Sequence, residues 1–220
     1  LAVGFGEHVL SLGLLHWVND GLMAIFFFVV GLEIKREFLY GELRTRSAMI
    51  LPVCAAIGGM VVPAILYVAV NIGASTLGGW GIPMATDIAF ALGIVRLAAR
   101  NAPLGLVVFL TALAIVDDLG AIIVVALAYS SGIVWTALVL GLLALTAAFL
   151  LNRFGIRFLP AYLLLGILAW LAFYAAGIHP TIAGVILGFS IPAAEDAAQS
   201  MLHRLEHRLE PWSSYLIMPV

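Results

Sequence analysis

The sequence predicts an all-α fold: a polytopic membrane helix bundle of about seven to eight transmembrane helices, at least one of them discontinuous. Three observations predict it. Of 220 residues, 64% are hydrophobic and 10% charged, and the mean hydropathy is +1.17, whereas a water-soluble chain carries about 25% charged residues to cover its surface. Uninterrupted apolar runs recur along the chain, and continuous runs rather than alternating ones favour helices over a barrel. All ten basic residues fall in alternate loops, which the positive-inside rule assigns to the cytoplasm. The net charge of -2 leaves no basic footprint for nucleic acid, and a single cysteine, Cys54, excludes an internal disulfide or a thiolate metal cluster.

The runs can be taken in order. Residues 1–15 lack the basic flank of a signal peptide and read as an internal start. The first run, 14–32, is followed by a loop with Lys35, Arg36, Arg44 and Arg46. The second, 50–70, is followed by no basic residue. The third, 82–95, is only 14 residues, about 21 Å at helical rise, too short to cross a core about 30 Å thick as one straight helix. Pro83 opens it, and Thr86 and Asp87 sit where side chains can satisfy freed backbone groups, so a break there is expected. Arg96 and Arg100 follow it. The fourth run, 104–129, and the sixth, 159–176, lead into loops free of basic residues, whereas the fifth, 133–151, leads to Arg153 and Arg157. The seventh run, 178–194, leads into residues 200–210, where Leu202, Leu205 and Leu209 recur at helical spacing among charged residues, as in an amphipathic cytoplasmic segment. Arg204 and Arg208 lie there, and an eighth run begins at residue 211 and stops at 220, half a crossing. Nothing divides the chain, so residues 1–220 read as one membrane transport domain.

Carboxylates inside apolar runs carry the chemistry, because an ionised carboxylate at mid-membrane costs about 2.5 to 3.5 kcal/mol even on mild scales. Asp117 and Asp118 are the 14th and 15th residues of the 26-residue fourth run, which puts both near the midplane. Adjacent helical positions diverge by about 100°, so the two face different surroundings. No basic residue lies in any span to pair with them, which disfavours a buried salt bridge as their purpose. An anionic Asp87 at the break in the third run offsets the positive ends of half-helices that meet there. Short or interrupted spans of this kind point to a transporter binding site.

Five stretches together carry a family resemblance: VNDGLMAIFFFVVGLEIKRE at 18–37, AAIGGMVVPAIL at 55–66, IPMATDIAFALG at 82–93, ALAIVDDLGA at 112–121 and GIHPTIAGVILGFSIP at 177–192. The chain resembles the NhaA-type bacterial sodium/proton antiporters. The resemblance implies an inverted-repeat transporter that exports sodium or lithium electrogenically in exchange for protons, under pH regulation, with no cofactor and with membrane lipid around it. It implies a cell inner membrane location and a possible homodimer. It makes Asp117 and Asp118 the cation and proton site, the second the principal cation carboxylate, with Thr86 and Asp87 at the crossing of broken helices. Glu33, Arg36 and Glu37, with His179 and Glu206, match a cytoplasmic funnel linked to pH regulation. The family's lysine opposite the aspartates has no match, since the only lysine is Lys35 in the first cytoplasmic loop, and the second repeat is missing. These 220 residues are accordingly expected to be truncated at the C-terminal end and, alone, to insert without exchanging ions.

The expected mechanism is competition: proton and sodium ion each neutralise the same carboxylates, cannot do so together, and are exposed to either side by rocking of one bundle against another. Two rivals use similar residues. A passive cation channel predicts flux without proton counterflow, and an intramembrane aspartyl protease expects aspartates on separate helices rather than D-D-L-G. Neither H-E-x-x-H nor G-x-S-x-G occurs, so no hydrolase motif is present and the chain is not read as an enzyme. Glu33, Arg36 and Glu37 also fit a solvated helix end, His203 and His207 a solvated face, and His179 a structural hydrogen bonder. Gly184 and Gly188 form a G-x-x-x-G that reads as internal helix packing.

Overall fold

The computed structural model describes residues 2–5, 8–11, 17–41, 44, 46–84, 86, 88–99, 102–128, 132–194 and 200–217. Eight α-helices lie among them: α1 (Met23–Tyr40), α2 (Arg46–Val70), α3 (Ile88–Ala98), α4 (Leu104–Ala128), α5 (Trp135–Arg153), α6 (Leu159–Ala175), α7 (Thr181–Ser190) and α8 (Met201–Trp212). Before them stands an antiparallel pair, β1 (Ala2–Phe5) and β2 (His8–Ser11), in register Ala2 to Ser11 and Phe5 to His8. The all-α expectation did not include it, since four-residue strands are too short to show a period in the sequence. Three helices are long and apolar enough to cross a membrane, within α2, α4 and α5, and α6 and α7 are shorter apolar helices. Ile50, Leu51, Ile65 and Leu66 of α2 are all exposed, as side chains facing hydrocarbon rather than water would be.

The chain divides into two compact units, residues 37–129 and residues 1–36 with 130–220. In the first, α2 packs along α4, α3 meets α4, and a 3-10 turn, Ile82–Met84, lies against α2. Its core is Ala56, Met60 and Met84, with Trp80, Val116 and Val124 around them. The contact is close: a methyl added at Gly120 of α4 would strike the Met60 sulfur of α2. The third apolar run is broken, as its length requires: 3-10 turn at Ile82–Met84, no regular structure at Thr86, and an α-helix only from Ile88. At 11 residues α3 spans about 16 Å, half a hydrocarbon core.

The second unit packs α5 against α6 and sets α7 across both. Phe28, Leu32, Leu145, Tyr162, Phe173 and Leu187 are buried together at its centre. Glycines bring α1 and α7 into backbone contact: a Cβ at Gly31 would lie 2.5 Å from the Val185 carbonyl oxygen and one at Gly188 2.8 Å from that of Phe28, while one at Gly184 would overlap the Ala24 carbonyl. In lipid no hydrophobic force drives helices together, so close backbone approach supplies the dispersion energy instead. The Trp170 indole donates to the Asp20 carbonyl at 2.7 Å, tying α6 to the π-helical turn Trp17–Leu22.

Three boundaries differ from the sequence reading. α1 runs to Tyr40, well past the apolar run that ends at residue 32, because its charged last turns find partners in the same fold. The seventh run is not a full crossing: α7 has only ten residues, bounded by Gly177 at a φ of 74°, Pro180 at its N-cap and extended backbone at Ile191 before Pro192. Pro211 starts no separate span, since α8 carries through it and continues as a π-helical turn, Ser213–Ile217. By length and composition, three helices among the described residues suffice for a full crossing each, with α6 and α7 shorter. The amphipathic segment at 200–210 is helical from Met201, and the Ser200 hydroxyl accepts the His203 N–H as its cap.

Candidate functional site

Asp117 and Asp118 lie at the middle of α4, where neither can reach an aqueous end of the helix. Their surroundings differ, as positions about 100° apart on a helix must. Asp117 is 3% exposed and its Oδ2 is buried with no hydrogen-bond donor among the described residues, while Asp118 is half-buried and has a polar partner. A buried carboxylate oxygen without a donor costs about 1 to 3 kcal/mol or more, a cost removed when the group takes a proton or a cation. Val116 and Gly120, one position before Asp117 and three after it, are the α4 residues turned to Met60 and its neighbours, so the packing of α2 on α4 fixes the rotation at which the carboxylates are presented.

Thr86 stands exposed at the break between the 3-10 turn and α3. Asp87 lies outside the described residues. An apolar cavity of about 390 Å³ in this unit is lined by Ala64, Ile65, Val68, Ala69, Ile72 and Trp80, and it offers a cation no oxygen ligand.

A second group of ionisable residues gathers between α1 and α8. Arg36 and Glu206 form an ion pair, with the Arg36 Nε 2.9 Å from the Glu206 Oε1. Beside this pair is a cavity of about 350 Å³ lined by Val29, Glu33 and Arg36 from α1 and by His203, Glu206, His207 and Glu210 from α8. Glu33, Arg36 and Glu206 are thus brought together. Glu37 is not on this cavity: it is buried, with its carboxylate against Gly41. His179 does not line this cavity either. It precedes the N-terminus of α7, a helix about 15 Å long, whereas Lys35 meets the opposite end. Its Nδ1 is buried with no partner among the described residues. Among the described residues no three His, Cys, Asp or Glu side chains are placed to hold a resident metal ion.

Sequence reasoning missed Lys35. Its Nζ donates to the carbonyls of Phe189 at 2.7 Å and Ile191 at 2.6 Å. The available signal was a lone lysine three residues beyond an apolar run, close enough to fold back along it. Reading His203 and His207 as a merely solvated face was also incomplete, since each contributes, with Glu210, to the wall of the α1–α8 cavity.

Two adjacent carboxylates at the middle of a full-length apolar helix, beside a helix interrupted in the same unit, make up an arrangement that ion transporters use. A family model described as Na+/H+ antiporter 1 matches residues 1–220, and the chain belongs to that family. It is 57% identical to a protein of Clostridium beijerinckii named Na(+)/H(+) antiporter NhaA 2, over 100% of this chain and 55% of that one. It is 52% identical to an NhaA antiporter of Nitrobacter hamburgensis, covering 97% of this chain and 53% of the relative. An NhaA antiporter of Oleidesulfovibrio alaskensis shares 45% identity over 100% of this chain and 59% of its own. The chain thus spans a little over half the length of the relatives it matches.

Proposed function

We propose that this chain carries the ion-binding carboxylates of a sodium/proton antiporter, with Asp117 and Asp118 as the shared site. The observation that carries the reading is the buried Asp117 oxygen without a donor beside a second carboxylate at the middle of an apolar helix. A proton or a sodium ion neutralises that pair, and the two are exclusive because each occupies the same oxygens. Exchange follows when the site faces alternate sides. Hard carboxylate oxygens suit sodium and lithium alike, and more protons entering than cations leaving makes the exchange electrogenic. Asp118, the more accessible of the two, is the principal cation ligand, and Asp87 with Thr86 balances the helix ends at the break in the third run. Membership of the antiporter family and likeness to proteins named as Na(+)/H(+) antiporters support this reading. With it go residence in a bacterial inner membrane with the arginine-rich loops cytoplasmic, surrounding lipid, pairing as a homodimer and regulation by pH through Glu33, Arg36, Glu37, His179 and Glu206.

The test is sodium-driven pH change in proteoliposomes holding the protein with its complete natural sequence. Asp118→Asn keeps the shape and removes both the proton and the anionic ligand, so exchange should fall to the level of protein-free vesicles. Asp117→Asn should leave a residue of activity. Wild-type turnover by Asp118→Asn would overturn the site, and sodium flux without proton counterflow would replace the antiporter with a channel.

A further inference from the structure

Asp117 and Asp118 are neighbours on α4, yet one is buried and the other half-buried, and helix geometry shows what decides between them. With Asp117 as the origin, Gly120 lies about 60° and Val116 about 100° to one side, while Asp118 lies about 100° to the other. Val116 packs against the cluster that holds Met60 of α2. Gly120 comes so close that an added Cβ would overlap the Met60 sulfur and lie 2.5 Å from its methyl carbon. Asp117 therefore stands at the edge of the seam between α2 and α4, and Asp118 lies well outside it.

Met60 also faces the break. It is buried in one cluster with Met84, the last residue of the 3-10 turn Ile82–Met84 and close before Thr86. A single side chain of α2 is thereby packed between the helix that carries the carboxylates and the turn that leads into the break. Methionine suits such a seat. Its unbranched chain enters a notch that a branched side chain would not, and its soft torsions keep contact while neighbours shift. The notch exists because position 120 carries no Cβ.

We infer that Met60 is a positioning residue for exchange: seated in the Gly120 notch and backed by Met84, it sets the rotation of α4 that buries Asp117 and leaves Asp118 open, and it ties that rotation to the break at Thr86. It acts through the carboxylates and not on the ion. All of these residues belong to one compact unit, residues 37–129. A bulkier residue at position 120 must push α4 off Met60, by separation or by rotation, and either one uncovers Asp117. Loss of the Met60 side chain removes the stop and has the same sense.

The role in exchange rests on the antiporter reading, but the placement of Asp117 is tested without it. In the complete protein carrying Cys54→Ser, Asp117→Cys and Asp118→Cys are made separately, and the rate at which each thiol reacts with a charged, water-soluble methanethiosulfonate is measured. The thiol at position 118 should react many times faster than that at 117. Gly120→Ala should narrow the difference severalfold. Met60→Val withdraws the sulfur and its methyl, so the double variant Met60→Val/Gly120→Ala keeps the pair's total of side-chain heavy atoms and should restore it. Met60→Ala should narrow the difference without added bulk, and it decides the matter where Gly120→Ala does not fold. Met84→Ala, on neither helix, should narrow it through loss of the backing. An unchanged difference in Gly120→Ala or Met60→Ala, or a double variant no nearer wild type than Gly120→Ala, overturns the placement. An unchanged difference in Met84→Ala overturns the tie to the break. Sodium-driven proton exchange is then measured with both aspartates intact. Gly120→Ala should raise the sodium KM about tenfold, as loss of a group that orients a metal ligand does, with kcat changed less and the double variant restored. An unchanged KM, or a fall in kcat alone, overturns the role in exchange. Absence of exchange in the wild type defeats the antiporter reading, while the thiol rates still decide the placement.

Discussion

Gly184→Ala tests whether the α1–α7 crossing is held by backbone contact. The added methyl meets the Ala24 carbonyl oxygen, with the Phe28 amide nitrogen 3.2 Å away, and both are main-chain atoms that cannot rotate aside. Ordinary contact at a Cβ begins near 3.4 Å, so α1 and α7 must separate locally by on the order of 1 Å. Separation also strips contact from Gly31 and Gly188, the other two points of approach. Overpacking of this kind costs about 1 to 3 kcal/mol, and the lost dispersion places the expected loss toward the upper end of that range. Gly58→Ala in α2 is the control: nothing lies within 4 Å of its added methyl, and removing a helix glycine there should be neutral or stabilising by up to about 1 kcal/mol. The assay is unfolding of the purified protein in detergent by heat or by added SDS, followed by tryptophan fluorescence. Gly184→Ala as stable as wild type, or Gly58→Ala the more damaging of the two, would refute the reasoning.

Two further measurements concern the side chains of the last turns of α1. A double-mutant cycle on Arg36→Met and Glu206→Gln should give a coupling of about 1 kcal/mol, because the side chains are 34% and 14% exposed and the pair sits between an exposed bridge and a buried one. Zero coupling would mean the contact is incidental. The Lys35 amine also sets a pH dependence of global stability. Its pKa is 10.5 unfolded and about 8 folded, so between these values the unfolded chain binds more protons and stability rises with pH, from full penalty below about 8 to none above 10.5. Unfolding curves of wild type minus Lys35→Met should show that rise, and a fall over the same interval would contradict it.

How much of this was legible in the sequence depends on what each segment's hydropathy reports. Long apolar runs report surroundings, and α2, α4 and α5 emerge close to their limits because lipid contact along their length sets those limits. The break near Thr86 was legible because length is a hard constraint: 14 residues cannot form a full crossing, and Pro83 with Thr86 marks where the ladder is interrupted. The ends of α1 and α7 were hidden for the opposite reason. Residues 33–40 are polar enough to read as a loop, yet they stay helical because Lys35 and Arg36 find carbonyls and a carboxylate on helices about 150 residues away or more. Ile191 and Ala194 are apolar enough to read as span, yet both lie beyond the helix, since hydrophobicity constrains burial and not dihedral angles. At the candidate site, the two carboxylates and their place in an apolar helix were readable, but not which of them is buried. That is set by the rotation of α4, which depends on Gly120 admitting Met60.

Two kinds of contact hold α1 to α7, and each supplies what the other lacks. Glycine-lined approach fixes the distance between helices but tolerates sliding, because dispersion energy changes little as one smooth backbone moves along another. Directional bonds from Lys35 to Phe189 and Ile191 resist sliding, since a displacement of one residue, about 1.5 Å, breaks their geometry. The bonds lie at one end of the crossing, beyond the apolar run, where a proton can reach the amine. A crossing whose spacing is permanent and whose register depends on one titratable group can shift along its axis without coming apart. The Gly184→Ala and Lys35→Met substitutions separate these contacts: the first should widen the crossing and lower stability at every pH, and the second should leave the spacing intact while the end of α7 loses its donor.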